Sequence, residues 1–357
     1  MSLPYTRERY IAELTVQRAT ILTQSILKSL NSCALSKADK SPVTLADFGA
    51  QALIISAIHH NFPNDSFIGE EDAAALRADP DLRERVWELV SKTHLGDEES
   101  EELLGALGSS AEMLDAIDLG SATESGEGRV WILDPIDGTK EFLKGKQYAV
   151  CLALLEDGEQ KVGVLGCPNL NLSADNPFGD PTASSSGSQP TGVLVSAIRG
   201  QGSAVRDLSH STLLPSSPLP KKSPNATPFR IVDSLQAFSA SIPKHATAAS
   251  HLSASWPSPD VYAIQLRWAA LALGAADAFI RIPLKKDRRD WIWDYAGGML
   301  IAEEVGVKVT DIGGGRVDFR RGRKFLGNWG WVAAAEGFHG GVLEVAGKVA
   351  WEGEAQT

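Results

Sequence analysis

The chain has 357 residues, of which 43% are hydrophobic, and its formal net charge is −11. This length exceeds the usual size of one hydrophobic core, so we expect two lobes, and the apolar content excludes a disordered chain. The acidic charge, with no long basic stretch to offset it, argues against a nucleic-acid polymer as partner. It permits a small anionic substrate, because bound divalent cations can reverse the local field.

Several features of the sequence bear on the cellular location of the protein. Residues 1–10 carry several charges and lack the apolar run of a signal peptide. The apolar stretch from Trp268 to Ile280 contains Asp277, which predicts a packed helix and no membrane association. The chain has three cysteines, an odd number: Cys33, Cys151 and Cys167. Two of them lie in apolar runs, which favours reduced core thiols and a cytoplasmic protein.

The first two predicted elements are helices. Apolar residues from Tyr10 to Leu30 recur at helical spacing. A second helical face begins near Ala50, and Thr44 is predicted as the N-cap of that helix. Asp47, three residues after Thr44, completes a capping-box pattern, so capping is one interpretation of this carboxylate and catalysis is the other.

An acid-terminated strand and a polar segment come next. Residues Ser66 to Glu71 read as a brief strand followed by two glutamates, a pair that is usually solvated surface. Residues 72–129 are acidic and polar with weak helical spacing, which predicts a helical insertion near the site, with a lid as one interpretation. Within it, the acidic run from Asp97 to Glu102 is interpreted as a solvated face.

The most informative stretch runs from Val130 to Phe142. Its apolar start predicts a buried strand that carries Asp134 at its end and stops at Pro135, which lacks an N–H. Asp137 then opens a turn, and a helix is expected from Lys140 onward. Both carboxylates and the free N–H groups would face one space, which suits a metal cation holding a phosphate. The alternative is a simple surface turn.

The second half of the chain contains further strands and one important helix. A Ser/Pro-rich stretch, 168–192, predicts the lobe boundary, giving an N-terminal α+β lobe at 1–168 and a C-terminal α/β lobe at 169–357. The Gly-x-Gly around Gly200 is weak evidence for phosphate binding. A short strand is predicted to project Arg281, and a helix from Trp291 to Gly306 is predicted with Asp294 as N-cap.

Three motifs resemble one family. Asp134-Pro135-Ile136-Asp137-Gly138-Thr139 resembles the signature of the inositol monophosphatase superfamily, the magnesium-dependent, lithium-sensitive phosphatases. Ile68-Gly69-Glu70-Glu71 is similar to the family's Gly-Glu-Glu, and Trp293-Asp294 with Ala296-Gly297 is similar to its second signature. The continuation Lys140-Glu141-Phe142 resembles the 3'(2'),5'-bisphosphate nucleotidase branch. The fold implied is α+β, a layered α/β/α/β/α sandwich of two lobes.

The resemblance also implies roles for individual residues. Two Mg²⁺ ions would be held by four acids and one backbone carbonyl: Glu70, Asp134, Asp137, Asp294 and Ile136. A third, weaker ion near Glu70 is the alternative count. Asp47 and a hydrogen-bonded Thr139 would activate the attacking water, and the N–H groups of Gly138 and Thr139 would hold the phosphoryl oxygens. Substrate binding would fall to Arg267, Arg281 and Asp294, besides Gly138 and Thr139.

The implied activity is hydrolysis of 3'-phosphoadenosine 5'-phosphate to AMP and phosphate, by a monomer whose partner is a small phosphorylated molecule. Two segments depart from the branch: Ser239-Ala240-Ser241 replaces a His-Ser-Ser-His segment, and Ile264 to Arg267 replaces Ser-x-x-Lys. These departures concern nucleotide affinity and leave the chemistry intact. Two alternatives therefore stay open: a phosphatase of the same fold acting on inositol or sugar phosphates, and a non-catalytic metal- and phosphate-binding sensor.

Overall fold

The computed structural model describes residues 3–31, 41–174, 176–181, 192–222, 229–236, 239–258 and 260–351. Cys33 lies outside these residues, while Cys151 and Cys167 are buried free thiols. Both adjoin the apolar interior between sheet and helices, as the sequence predicted for core thiols.

The first sheet has seven strands in sequential order. They are β1 (Ser66–Gly69), β2 (Arg129–Asp137), β3 (Ala149–Glu156), β4 (Glu159–Cys167), β5 (Val193–Ile198), β6 (Gly202–Asp207) and β7 (Ser217–Pro218). Only β1 and β2 pair in parallel; the later neighbours are antiparallel. β3 and β4 form a hairpin, whose turn residues Asp157 and Gly158 both have positive φ.

The first sheet continues across the predicted lobe boundary at 168/169. β4 pairs with β5 along six residues, so the first sheet continues across the Ser/Pro-rich stretch to Pro218. The second sheet begins only at Ile231, and its strands are β8 (Ile231–Val232), β9 (Ala278–Arg281), β10 (Val307–Thr310) and β11 (Trp331–Ala335). Their order is β10-β11-β9-β8. The Ser/Pro-rich stretch is therefore a connection within one sheet, and the change of sheet lies between Pro218 and Ile231.

Eleven helices of the described residues pack around the sheets. They are α1 (Thr6–Asn31), α2 (Ser41–Asn61), α3 (Ala74–Ala78), α4 (Pro80–Ser91), α5 (Glu98–Leu104), α6 (Ser110–Leu119), α7 (Thr139–Phe142), α8 (Ile242–His251), α9 (Ile264–Ala272), α10 (Ala296–Glu304) and α11 (Glu336–Trp351). α3 to α6 make up the helical insertion predicted for 72–129. The helix predicted from Tyr10 to Leu30 is present as α1, which begins four residues earlier than predicted, at Thr6.

Three apolar cores stack the helices and sheets into layers. The first joins α1 and α2 to one face of the seven-stranded sheet. The second fills the space between the two sheets with α9 and α10. The third packs α8 and α11 on the outer face of the four-stranded sheet. The order is helices, sheet, helices, sheet, helices, which confirms the predicted α/β/α/β/α sandwich.

α2 differs from its prediction in two respects. It begins at Ser41, so Thr44 lies inside the helix and is not the N-cap. Its residues Pro42–Asn61 are long and apolar enough to cross a membrane by composition alone, which the sequence analysis overlooked. However, 78% of that stretch is buried inside the protein, as expected for a helix of the core.

The hairpin between β5 and β6 binds an internal carboxylate. Gly200 and Gly202 have φ of 78° and 83°, and their N–H groups donate to the two oxygens of Glu304 at 2.8 and 2.9 Å. Arg199 pairs with the adjacent Glu303 at 2.7 Å. The Gly-x-Gly donors are therefore satisfied by the last turn of α10, and this hairpin is not the phosphate site.

Candidate metal and phosphate site

Three aspartates converge where β2 ends. The carboxylates of Asp134, Asp137 and Asp294 place ligand atoms within 4.8 Å of one another. β2 does not stop at Pro135 as predicted; it continues to Asp137, with its pairing to β3 shifted between Asp134 and Asp137. Pro135 lacks an N–H and falls in this irregular stretch, where no ladder hydrogen bond is required of it. The irregularity turns both carboxylates toward Asp294.

Asp137 is held by the start of α9. Its carboxylate accepts hydrogen bonds from the backbone N–H of Ile264, at 3.1 Å, and from that of Gln265. The side-chain amide of Gln265 then donates to the Trp293 carbonyl at 2.7 Å and accepts from the Gly298 N–H at 2.8 Å. One buried glutamine thus links Asp137 to the segment carrying Asp294. This role of Gln265 was not predicted from the sequence, although a glutamine among apolar residues was a visible signal of it.

Asp294 is not the helix cap that the sequence predicted. α10 begins at Ala296 and Tyr295 occupies the N-cap position, so the Asp294 carboxylate is left to face the other acids. Burial first, and then the charges of Asp137 and Glu70, raise the pKa of Asp294 well above its ordinary value. Burial and the charges of Glu70 and Asp137 do the same to the pKa of Asp134. Burial raises the pKa of Asp137 to about 6.

Glu70 and Asp47 complete the acidic cluster from the other side. Glu70 follows β1 and stands at the exposed rim, where its carboxyl group hydrogen bonds with Asp134. Desolvation, followed by the charges of Glu71 and Asp137, raises its pKa to about 7. Asp47, near the start of α2, is buried, and burial with the charges of Glu70 and Glu71 raises its pKa well above the ordinary value.

These raised pKa values have one physical meaning. Several carboxylates are crowded into a poorly hydrated space, and the charges of Arg267 and Arg323 offset their mutual repulsion only in part. Proton uptake or a bound cation must supply the missing positive charge. All the donors are hard oxygens, which are the ligands that Mg²⁺ prefers.

Thr139 makes a different contact from the one predicted. Its hydroxyl donates to the Ile136 carbonyl at 3.2 Å, so in this arrangement its proton is not directed at Asp47. The same residue begins α7, a single turn capped by Gly138 with φ of 94°. A Cβ on Gly138 would lie 2.9 Å from the Ala263 Cβ, so both the backbone conformation and the space require glycine.

Comparison with known proteins decides the family. The model of the inositol monophosphatase family matches residues 7–349. The chain belongs to the inositol monophosphatase family. Among its relatives are 3'(2'),5'-bisphosphate nucleotidases of Emericella nidulans and Schizosaccharomyces pombe. The former is 45% identical, covering 97% of this chain and 99% of the relative. The latter is 38% identical and covers 97% of both chains.

Solved structures agree with this assignment at the level of the fold. Inositol monophosphatase II from Staphylococcus aureus has a TM-score of 0.59 and 18% identity, covering 97% of this chain and 98% of that one. A 2'AMP-bound structure of SaIMPase-II has a TM-score of 0.56 and 17% identity, with 96% of each chain covered. The family fold therefore extends over nearly the whole chain.

In this family member, Arg281 is not the free cation that the sequence predicted. It is 1% exposed, and its Nε and Nη2 donate to the two oxygens of Asp290 at 2.6 and 2.7 Å. Nη2 also donates to the Ser239 hydroxyl at 3.0 Å, and the Tyr295 hydroxyl donates to Asp290 at 2.9 Å. A buried bidentate ion pair of this kind directs the guanidinium to Asp290. The contact of Arg281 with a second phosphate stays a prediction.

Arg267 is the second predicted phosphate ligand, and it keeps one unused donor. Its Nε and Nη2 donate to the carbonyls of Val261 and Tyr262 at 2.7 and 2.9 Å. Nη1 is buried and has no hydrogen-bond partner among the described residues. The charge lies close enough to Asp137 to lower the pKa of that carboxyl group, against the larger effect of burial. Arg267 therefore lies beside the cluster with one donor unsatisfied.

Proposed function

We propose that this chain is a divalent-cation-dependent 3'(2'),5'-bisphosphate nucleotidase, which hydrolyses 3'-phosphoadenosine 5'-phosphate to AMP and phosphate. The observation that carries the proposal is the cluster of Asp134, Asp137 and Asp294, with their ligand atoms within 4.8 Å. It is supported by near full-length similarity to nucleotidases, at 45% and 38% identity. The partner is thus a small phosphorylated molecule.

The donor set fits magnesium. Asp134, Asp137, Asp294 and Glu70 would hold two ions with the Ile136 carbonyl, and the exposed Glu70 could take part in a third, weaker position. When bound, Mg²⁺ supplies positive charge that stabilises the phosphoryl oxygens and makes a coordinated water more acidic. The raised pKa values of these acids support the assignment, because a cation relieves the repulsion that raises them.

The remaining catalytic work falls to residues around the cluster. Asp47 is buried beside Glu70 and Glu71, and its raised pKa suits a general base that accepts the proton of the attacking water. Thr139, held by the Ile136 carbonyl, would orient that water through its hydroxyl oxygen. The backbone N–H groups of Gly138 and Thr139 would bind the phosphoryl oxygens as their charge develops.

The second phosphate of a bisphosphate needs a cation, and Arg267 is the residue that fits best. Its Nη1 is buried and unsatisfied among the described residues, so an anionic oxygen would complete its hydrogen bonding. Arg281 would act indirectly, because its Nε and Nη2 already donate to Asp290.

One observation favours a second candidate. Since Arg281 is paired and Arg267 already donates twice to backbone carbonyls, the described site offers less free positive charge than a bisphosphate would use. A phosphatase acting on inositol or sugar monophosphates would need less. The sensor alternative finds less support, because Asp47 and all four acids are retained.

A phosphate-release assay with Mg²⁺ tests these readings. The panel is 3'-phosphoadenosine 5'-phosphate, AMP, inositol 1-phosphate and inositol 1,4-bisphosphate. We expect the highest kcat/KM on 3'-phosphoadenosine 5'-phosphate and little turnover of AMP. A preference for inositol 1-phosphate would transfer the assignment to the second candidate. Cation binding without phosphate release on any substrate would indicate the sensor. We further propose that the protein is a monomer and that it is cytoplasmic; the buried free thiols Cys151 and Cys167 support the reducing compartment.

A further inference from the structure

Arg323 connects two segments that carry acids of the metal site. It lies in the loop between β10 and β11, far along the chain from β1. Its Nη1 donates to the carbonyls of Gly120 and Ala122 at 3.1 and 3.3 Å, and its Nη2 donates to the carbonyl of Gly69. Gly69 directly precedes Glu70. The guanidinium therefore fixes the backbone from which the Glu70 side chain extends.

The same guanidinium packs on the segment that carries Asp294. Its Cζ lies 4.9 Å from the centre of the Trp293 ring, and Trp293 directly precedes Asp294. The Trp293 ring also stacks on Trp291, with ring centres 4.6 Å apart and planes 11° apart. The backbone contributes too, because the Ile292 N–H donates to the Arg323 carbonyl at 3.1 Å.

An arginine is the side chain that this position requires. One planar guanidinium donates to three carbonyl oxygens, and its face remains available to pack on an indole ring. A lysine ammonium has neither the forked set of donors nor the flat face. The positive charge also lies near Glu70 and Asp72, which favours the ionised form of Glu70. Nothing in the contacts places Arg323 on the ligand atoms of the cluster.

We propose that Arg323 is a positioning residue that holds the Glu70 and Asp294 segments at the spacing a divalent cation needs. It acts through Gly69 and Trp293. The inference rests on the proposed use of these acids as a cation site, and it assigns to Arg323 a share of the cation affinity. Residues that orient metal ligands from behind typically contribute 10- to 100-fold in affinity.

The test is direct Mn²⁺ binding, measured by calorimetry and by the loss of free-ion paramagnetic signal, on purified full-length protein. We expect Arg323→Ala to raise the Mn²⁺ Kd by about 10-fold or more, and Arg323→Lys to fall between that variant and the wild type. Saturating Mn²⁺ should restore most of the kcat, because the chemistry itself is not removed. Arg321→Ala is the matched control: it removes one charge from the same loop, where Arg321 pairs with Asp318.

The outcomes separate this inference from the proposed function. A wild-type protein that fails to bind Mn²⁺ refutes the cation site itself. If the wild type binds Mn²⁺ and the Kd of Arg323→Ala lies within twofold of the wild-type Kd, the positioning role is overturned. An equal loss in Arg321→Ala would also overturn it, since net charge would then explain the effect. If Arg323→Ala does not fold, Arg323→Lys carries the test: weaker binding by the folded protein supports the proposal and unchanged binding refutes it.

Discussion

The buried pair of Arg281 and Asp290 allows a quantitative prediction. Both side chains are almost fully buried, at 2% and 3% exposure, and Arg281→Ala would leave the Asp290 carboxylate without its bidentate partner. Removing one member of a buried ion pair typically costs about 3–5 kcal/mol. Tyr295 and Arg288 still donate to Asp290, so we expect the lower end, about 3 kcal/mol.

That free energy translates into a thermal shift. Unfolding entropies near 60 °C are about 2.1 cal/mol/K per residue, or about 750 cal/mol/K for 357 residues. A loss of about 3 kcal/mol should therefore lower Tm by about 4 °C. Burial acts to raise the pKa of Asp290, but the charge and hydrogen bonds of Arg281 outweigh it and lower that pKa to about 2 from 3.8. In the wild type, the stability contributed by this lowered pKa is therefore full above pH 3.8 and is lost as the pH falls through 2.

The assay is chemical denaturation combined with kinetics on 3'-phosphoadenosine 5'-phosphate and inositol 1-phosphate. Arg288→Ala is the matched control, since its contact with Asp290 is 3.3 Å long and its side chain is 42% exposed; we expect a change below about 1 kcal/mol. Adding Asp290→Asn to Arg281→Ala should recover part of the loss, because the unpaired charge is removed. Unchanged stability together with a loss confined to bisphosphates would refute the reasoning and return Arg281 to the substrate.

Three further predictions concern the acids. Asp137→Asn should abolish turnover and the Tm increase produced by Mg²⁺ while the protein stays folded; near-normal activity with Mg²⁺ would contradict the two-ion assignment. Because the pKa of Asp137 is raised from 3.8 to about 6, the contribution of Asp137 to the stability of cation-free protein should be full below pH 3.8 and be lost as the pH rises through 6, and saturating Mg²⁺ should flatten this dependence. A cation-free denaturation profile that does not vary between pH 4 and 7 would count against it. Li⁺ should inhibit at limiting Mg²⁺, since it can occupy an oxygen-lined site with less charge, and a flat lithium titration would refute this.

The clustered acids Asp134 and Asp137 could be predicted from the sequence because their determinants are local. Asp134 and Asp137 follow an apolar strand at fixed spacing, and a proline and a glycine between and after them restrict the backbone. Such a pattern can be recognised without knowledge of any distant residue. The layered order of helices and sheets was likewise predictable, but only through the family resemblance that these residues carry.

The errors share a different cause, which is that they depended on tertiary partners. Arg281 looked like a free cation because nothing in the sequence says that Asp290 returns to it inside the core. The Gly-x-Gly around Gly200 was weak evidence for phosphate binding, but the N–H groups of Gly200 and Gly202 donate to Glu304. Composition at 168–192 correctly predicted a connection, yet it could not say that β5 rejoins the same sheet. Loop composition reports where strands end and not which strands pair.

The anchoring of α10 has a consequence for ion selectivity. Its first turn accepts a hydrogen bond from Gln160 at 2.7 Å, and Glu304 in its last turn accepts one from the Gly200 N–H. Both ends of the helix that follows Asp294 are therefore held by hydrogen bonds. Asp294 is therefore held in position by this helix, whereas Glu70 extends toward the cluster on a longer, exposed side chain. Mg²⁺ takes its oxygens at about 2.0–2.1 Å and Ca²⁺ at about 2.3–2.6 Å. If the cluster binds a cation as proposed, ions of different radius would be accommodated mainly by movement of the Glu70 side chain.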